Sequence, residues 1–277
     1  MSLFLIFVAA VGYWVSEVYG APEIFYIAVI FSIIMNIVGY WFSDKVALSV
    51  SGARPASREE YFDLYTITDN LSIAAGLPMP KIYVINDPAP NAFATGRNKE
   101  HAVVAVTTGL LQILEKSELE GVIAHELSHI GNRDILLMSV VVVLVGLLAI
   151  ISDTFLRSTF IGRRSDNRSA GGASAFIGLL AIIIAPIVGT LIKLAISRRR
   201  EYLADASGAL LTRYPEGLAR ALEKISNFVA PMRKASTATA HLFISDPFGQ
   251  VNTRSIFNLF QTHPPVEKRI AALRSMS

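Results

Sequence analysis

The sequence contains no cysteine, which excludes disulfide bonds, thiolate metal ligands and a cysteine nucleophile. Charge is also scarce, because 17% of the residues are Asp, Glu, Lys or Arg, against roughly 25% in soluble domains. The net charge is only +3, and no basic stripe interleaved with aromatic residues is present, so nucleic acid is not an expected partner. Any metal ion must therefore be held by histidine and carboxylate side chains.

The sequence contains long apolar stretches, and 52% of its residues are hydrophobic. A helix needs about 20 apolar residues to cross a bilayer, with a range of about 17–25. Four stretches come close to that length, at 3–18, 24–42, 135–151 and 176–196. The sequence thus predicts four hydrophobic membrane helices and the lipid bilayer as a partner.

The flanking charges predict how these helices are oriented. The link between the first two stretches carries Glu17 and Glu23 and no basic residue, whereas Lys45 follows the second stretch and three arginines follow the fourth. By the positive-inside rule, the polar regions 45–134 and 197–277 face the cytoplasm from a multi-pass position in the cell membrane. One loop conflicts with this orientation, since it contains Arg157, Arg163, Arg164 and Arg168. Either this loop breaks the rule, as the full hairpin that we favour requires, or the second hairpin is shallow or re-entrant.

Four segments follow from this pattern. We expect a transmembrane hairpin at 1–44 and a second hydrophobic hairpin at 135–196. Between and after them, regions 45–134 and 197–277 form the two halves of one cytoplasmic domain. Both hairpins return the chain to the side that it left, so the two halves can meet.

The two polar halves have the patterns of a mainly α fold with a small β-sheet. β-Branched runs at 81–86 and 102–107 predict strands. Ser117 and Glu120 are expected to form a capping box that opens a helix reaching about residue 130. Further helices are predicted at 58–75, 201–212, 217–228 and after the prolines that follow residue 263.

The pattern with the clearest chemistry lies on the helix that ends near residue 130. His125 and His129 are four residues apart, which brings both imidazoles to one helical face, one turn apart. Both could bind one Zn²⁺, and Glu126 is offset enough to miss the ion and reach a water bound to it as a general base. The alternative is an amphipathic helix with ordinary polar residues. With 5 histidines in the chain, a chance match is on the order of one percent, which favours the zinc site.

A catalytic zinc site needs a third protein ligand, and a later helix offers one. Asn132 and Ile135 stand where a metzincin has Gly and His, so that class is excluded. Glu201 is followed four residues later by Asp205, a spacing that suits a ligand and a carboxylate that orients a ligating imidazole. Pairing of Glu201 with the neighbouring arginines is the alternative. An even number of membrane crossings between His129 and Glu201 allows the two to meet.

Three segments together, 125–134, 200–205 and 262–270, resemble the HtpX-type membrane zinc proteases of bacteria and archaea. The resemblance covers nearly the whole chain, including the N-terminal spans and the hairpin between the metal motifs. It implies a gluzincin-like zinc metalloprotease domain combined with four membrane helices and one Zn²⁺ per chain. It also implies an endopeptidase that degrades misfolded or damaged membrane proteins during stress.

The resemblance also assigns a substrate-binding stretch. Asn91, Ala92, Phe93 and Ala94 match the family's segment beside the cleft, where an edge strand would pair with an extended substrate. An ordinary buried strand is the alternative.

Two further residues are candidates for a role in catalysis. His263 matches a histidine that stabilises the developing oxyanion, although a helix-capping or surface role is open to it. Asp134 either orients a ligating histidine or pairs with Arg133. The arginines at 198–200 are expected to anchor the chain at lipid headgroups.

Three other functions are compatible with parts of the pattern. Intramembrane proteolysis is disfavoured because charged residues precede and follow the metal motif, which lies beside an apolar stretch and not within it. The prenyl-protein endoprotease branch usually has more than four spans. A membrane-bound adaptor with a vestigial zinc site would have no need to keep Glu126. No feature of the sequence predicts an oligomeric state.

Overall fold

Helices dominate the part of the chain that this computed structural model describes, which is residues 2–146, 197–249 and 264–276. Four strands in these ranges form one small sheet, so the predicted mainly α fold with a small sheet is confirmed. The fourth apolar stretch, its preceding arginine-containing loop and His263 lie outside the described residues.

The first two helices pack against each other as a hairpin. Helix α1 (Ser2–Tyr19) and helix α2 (Glu23–Trp41) approach closely at Gly12, where an added Cβ would collide with the Cβ of Ala28. Isoleucines along α2 point away from this contact and are largely exposed. Such an apolar surface is stable only against lipid or another apolar partner.

The sheet has the order β1-β2-β4-β3. Its strands are β1 (Arg54–Pro55), β2 (Lys81–Ile85), β3 (Ala92–Gly96) and β4 (Ala102–Thr107). Strands β2 and β4 run parallel, whereas β1 and β3 pair antiparallel with their neighbours. Both strands predicted from β-branched runs, β2 and β4, are confirmed, and β3 lies at the edge of the sheet.

The remaining helices cover both faces of this sheet. In chain order they are α3 (Ser43–Ser51), α4 (Phe62–Ala75), α5 (Thr108–Ile113), α6 (Lys116–Gly131), α7 (Asp134–Gly146), α8 (Arg198–Thr212), α9 (Pro215–Ser226) and α10 (Val266–Arg274). Short 3₁₀ helices occur at Lys99–His101 and Ala240–Leu242. The helix predicted at 217–228 begins at Pro215, because proline suits the first turn.

Two apolar cores result, one on each face of the sheet. Alternating strand side chains such as Ala94 and Val104 pack with Ile123 and Leu127 of α6 and with α9. The opposite face, which includes Phe93, packs with α3, α7 and the segment around Phe243. The sheet therefore holds the metal-motif helix α6 on one side and the start of the third apolar stretch on the other.

This packing corrects part of the membrane prediction. Among the described residues, one helix, α2, has the length and hydropathy to cross a membrane, or two if α6 and α7 are taken as one span bent by 86°. Four membrane helices are therefore not confirmed. Met138, Val141 and Val142 of α7 lie in the protein core against the sheet, so the beginning of the third stretch is apolar for a reason other than lipid contact.

The capping box of α6 lies two residues earlier than predicted. Glu115 is the N-cap and Glu118 is the N3 residue, in place of Ser117 and Glu120. The Glu118 carboxylate accepts a hydrogen bond from the Glu115 backbone N–H (2.8 Å) and pairs with Lys224 of α9 at 2.7 Å. This register places the buried Glu118 carboxylate beside the partly exposed Lys224 ammonium, which also lies 3.8 Å from Glu115.

Candidate metal centre and active site

Helix α6 brings the two histidines of the motif together. The Nε2 atoms of His125 and His129 are 3.2 Å apart, and both side chains are buried. Their rings meet edge to face, with centroids 4.8 Å apart. Both imidazoles thus direct the same nitrogen to one point, as the four-residue spacing predicted.

Helix α8 carries Glu201 to that same point. Its carboxylate oxygens lie 3.5 Å from His129 Nε2 and 3.9 Å from His125 Nε2, and the side chain is 0% exposed. Two ligand atoms that each lie about 2.0–2.1 Å from a tetrahedral Zn²⁺ are roughly 3.4 Å apart. The separations between the ligand atoms of His125, His129 and Glu201, which are 3.2, 3.5 and 3.9 Å, lie on either side of that value. Two neutral nitrogens and one carboxylate oxygen are also the donors that zinc prefers. The three residues therefore fit a single zinc ion.

Close packing of α6 and α8 makes this meeting possible. Gly208, two turns after Glu201, lies against the backbone of α6, where an added Cβ would be 3.0 Å from the backbone nitrogen of His125. A larger residue would push the two helices apart. The glycine therefore keeps the helix that carries Glu201 within reach of the two histidines.

Glu126 lies beside the three potential ligands. Its carboxylate is buried, and the nearby backbone N–H of Ala94 on strand β3 favours its charged form. Burial raises the pKa of Glu126 to about 7, and the negative charge of Glu201 adds to this effect. A carboxylate with a pKa near neutrality can both accept and release a proton, as a general base requires.

The first histidine is supported by a buried ion pair. Asp205 Oδ1 lies 3.0 Å from His125 Nδ1, although the angle is poor for a hydrogen bond, and Arg269 binds the same carboxylate with two hydrogen bonds of 2.9 and 2.7 Å. Burial lowers the pKa of His125 to about 4, which keeps this imidazole neutral. Burial alone would raise the pKa of Asp205, but the Arg269 charge holds it well below its usual range. The pair thus keeps an anion beside the outer nitrogen of His125.

The second histidine is supported in the same way. Asp134 Oδ2 lies 3.2 Å from His129 Nδ1, and Arg200 donates a hydrogen bond to Asp134 Oδ1 at 3.3 Å. Burial alone would lower the pKa of His129, but the Asp134 hydrogen bond and nearby carboxylates raise it to about 8. The left-handed turn at Arg133 (φ 64°) ends α6 and aims Asp134 back at His129.

Asp134 therefore pairs with Arg200 and not with its neighbour Arg133. Arg200 is one of the three arginines at 198–200 that are expected to anchor at lipid headgroups, and its side chain stays 33% exposed while it contacts Asp134. The headgroup role of these arginines stays a prediction.

The free edge of β3 is partly occupied by the protein itself. Asn91 and Thr107 form a hydrogen-bonded pair, so Ala92, Ala94 and Gly96 direct their backbone groups away from β4. The C=O of Ala92 accepts a hydrogen bond from the N–H of Ile244 at 2.9 Å. The Asn91 amide is buried and bonded to the backbone of Ser245, so it fixes this edge in place.

Arg269 was not among the residues predicted from the sequence, and the structure places it 3.8 Å from Glu201 as well as on Asp205. It is 1% exposed, although arginine is rarely buried without a partner. One signal was present: Arg269 follows His263 by six residues inside a segment that carried the family resemblance. Its partner, 64 residues earlier in the chain, could be identified only from the fold.

We expect Arg269→Met to lower the free energy of unfolding by about 3–5 kcal/mol, because Asp205 would keep a buried charge without its cation. Denaturant unfolding of the metal-free protein in detergent micelles would measure the change. Arg274→Met on the same helix is a matched control, since Arg274 is exposed and its pairs with Glu216 and Glu223 are solvated. Equal unfolding midpoints for the two variants would contradict the importance of the Arg269–Asp205 pair.

Comparison with known proteins agrees with this geometry. The model of Peptidase family M48 matches residues 59–277, which include every residue of the metal centre. The chain belongs to peptidase family M48. It is therefore a metalloprotease, and Zn²⁺ is the cofactor of this family. The predicted family and cofactor are thus confirmed.

Individual relatives are similar over nearly the full length. "Protease HtpX homolog" of Caldanaerobacter subterraneus subsp. tengcongensis is 51% identical over 99% of this chain and 92% of the relative. The protein of the same name from Pyrococcus furiosus is 48% identical over 91% of this chain and 86% of the relative. These matches confirm the HtpX-type resemblance and a membrane-associated M48 protease.

A solved structure shares the fold. The crystal structure of S. mikatae Ste24p superimposes with a TM-score of 0.53 at 17% sequence identity. The match covers 97% of this chain and 61% of the other, so this chain spans about three fifths of that protein's length.

Proposed function

We propose that this M48 metalloprotease is a membrane-bound endopeptidase whose zinc ion is held by His125, His129 and Glu201 and whose general base is Glu126. One observation carries the proposal. Among the described residues, these three ligand side chains are buried with their ligand atoms all within 4.8 Å of one another, and the Glu126 carboxylate lies beside them.

Zn²⁺ bound there supplies a Lewis acid that polarises the scissile carbonyl and acidifies a water molecule. Glu126 accepts the proton of the attacking water and then donates it to the leaving amine, for which its raised pKa suits it. Asp205 and Asp134 hold the outer nitrogens of the two histidines, so each imidazole presents Nε2 to the metal. His263 is proposed to stabilise the oxyanion.

The proposed substrate is an extended segment of a misfolded or damaged membrane protein. Strand β3 is an edge strand beside Glu126, so the stretch Asn91, Ala92, Phe93 and Ala94 is the proposed substrate-binding element. The exposed apolar surface of α2 supports a position in the cell membrane. We further propose that the chain is multi-pass and that the protease domain faces the cytoplasm, as the flanking charges predict.

Metal removal tests the enzymatic part of this proposal. Detergent-purified protein should cleave an unfolded substrate such as casein, lose that activity in a chelator and regain it when Zn²⁺ is restored. Bound zinc should be about one ion per chain, as one ligand set predicts. Zinc at that level without cleavage under any of these conditions would favour a zinc-binding adaptor instead, and cleavage that persists without metal would refute the mechanism.

A further inference from the structure

Strand β3 connects the active site directly to the end of the membrane helix. At its centre, the backbone N–H of Ala94 lies near the Glu126 carboxylate and favours its charged form. Just beyond its end, the guanidinium of Arg97 stacks over the ring of Trp41 at 4.6 Å from the ring centroid. Trp41 is the last residue of α2, the helix with the hydropathy of a membrane span. One short strand therefore spans the distance between the catalytic carboxylate and the end of the apolar helix.

The end of α2 has the features of a membrane interface. Trp41 is half exposed, Phe42 follows it, and the Lys45 ammonium lies over the Phe42 ring at 5.2 Å. Tryptophan and cationic side chains are enriched where a span leaves the hydrocarbon core, because an amphipathic ring and a charged tip both suit the headgroup layer. The Arg97 stack places the loop that follows β3 at this same level.

Contacts with α7 and with the core around α3 hold β3 close to the proposed membrane interface. Helix α3 follows α2 without a linker and packs in the same core as Phe93 of β3. On the other side, Ser139 Oγ of α7 accepts a hydrogen bond from the N–H of Gly96 at 3.1 Å and contacts Thr95 Oγ1 at 2.7 Å. The strand therefore contacts both α7 and the core that contains α3, the helix that follows α2.

Chain geometry limits how far the active site can be from the interface. Three residues of chain span at most about 10 Å, and an arginine side chain adds less than that again, so Ala94 lies within roughly 20 Å of the Trp41 ring. An extended peptide rises about 3.3 Å per residue, so this distance corresponds to about six residues of substrate.

From these contacts we infer that the enzyme cleaves juxtamembrane segments, cutting peptide bonds within about six residues of the point where a substrate span leaves the bilayer. The inference rests on the proposed function, since it concerns the same β3 edge and the same base. The Arg97–Trp41 stack acts as a spacer: it positions the cleavage plane relative to the lipid surface and takes no part in the chemistry. Long soluble loops far from a span are poor substrates in this arrangement, although the same peptide bonds are cleaved when they reach the site.

A ladder substrate in lipid nanodiscs tests this. A single span would be followed by a linker of about 40 residues, extended to roughly 130 Å and built from identical repeats of one cleavable peptide. All repeats are chemically equal, so their relative cleavage, read by mass spectrometry, reports distance from the bilayer alone. We expect cuts in the repeat next to the span to exceed those in distal repeats by at least about tenfold, as a free-energy difference of about 1.4 kcal/mol would give.

Arg97→Ala should broaden this distribution several-fold while leaving cleavage of the same repeat as a free peptide unchanged. Lys99→Ala is the matched control, because it removes a positive charge from the same loop without touching the stack. Equal cutting along the whole ladder by the wild type would overturn the inference, and so would a distribution that Arg97→Ala and Lys99→Ala alter alike. If the free peptide were not cleaved in a zinc-dependent way at all, the proposed function itself would fail.

Discussion

Replacing Glu126 with Gln should abolish peptide hydrolysis while leaving zinc in place. The amide is nearly the same size as the carboxylate and can occupy the same site beside the Ala94 N–H, but it cannot accept a proton from water. Because Glu126 is not among the three residues whose ligand atoms converge, the metal centre should remain intact. Loss of general-base catalysis is expected to lower kcat by roughly 10²–10⁴-fold, with little change in KM.

Zinc content and casein cleavage would be measured side by side on detergent-purified wild type and variant. Glu120→Gln, on the same helix and one and a half turns earlier, controls for the loss of a carboxylate from α6. Cleavage by Glu126→Gln at the wild-type rate would show that another group takes the proton. Loss of zinc along with activity would instead make Glu126 part of the metal centre.

Replacing Glu201 with Ala should produce the opposite pattern, in which zinc itself is lost. Its carboxylate is the one anionic donor within 4 Å of both histidine Nε2 atoms among the described residues. Removing a hydrogen-bond partner of a metal ligand costs roughly 10–100-fold in affinity, and removing a ligand should cost more than that. We therefore expect zinc to dissociate from Glu201→Ala at chelator concentrations that leave the wild type loaded.

Competition with a coloured zinc chelator would measure this affinity without reference to activity. Glu267→Ala, an exposed glutamate on α10, serves as the matched control. Unchanged zinc affinity in Glu201→Ala would exclude it as a ligand, and the neighbouring Asp205 would then have to be tested as the third donor. The two variants thus separate a role in chemistry from a role in binding.

Contacts between residues that are distant in the sequence narrow the alternative roles that the sequence left open for Glu201, Asp134 and Asn91. Glu201 lies within 4 Å of both histidine Nε2 atoms, as its interpretation as a metal ligand requires. Asp134 contacts His129 Nδ1, which agrees with its predicted role of orienting a ligating histidine. Asn91 is buried immediately before the edge strand β3, where it is hydrogen-bonded to Thr107 and to the backbone of Ser245. Its use by substrate stays a prediction.

The sequence by itself determined the chemistry of this protein. The four-residue spacing of His125 and His129 fixes their shared face through helical geometry alone, and Glu201 with Asp205 repeats that logic on a second helix. Local sequence also predicted strands β2 and β4, because short β-branched runs bounded by turn residues need no distant partner to be recognised.

Only the tertiary structure decided which groups support that chemistry and which apolar residues face protein. Glu118 at the start of α6 pairs with Lys224, the buried Arg269 pairs with Asp205, and the apolar face of α7 packs on the sheet. Each of these contacts joins residues that are distant in the chain. Hydropathy alone cannot distinguish a helix that packs in a protein core from one that packs in lipid. A helical period is a property of neighbouring residues, whereas burial and charge pairing arise only when separate segments meet.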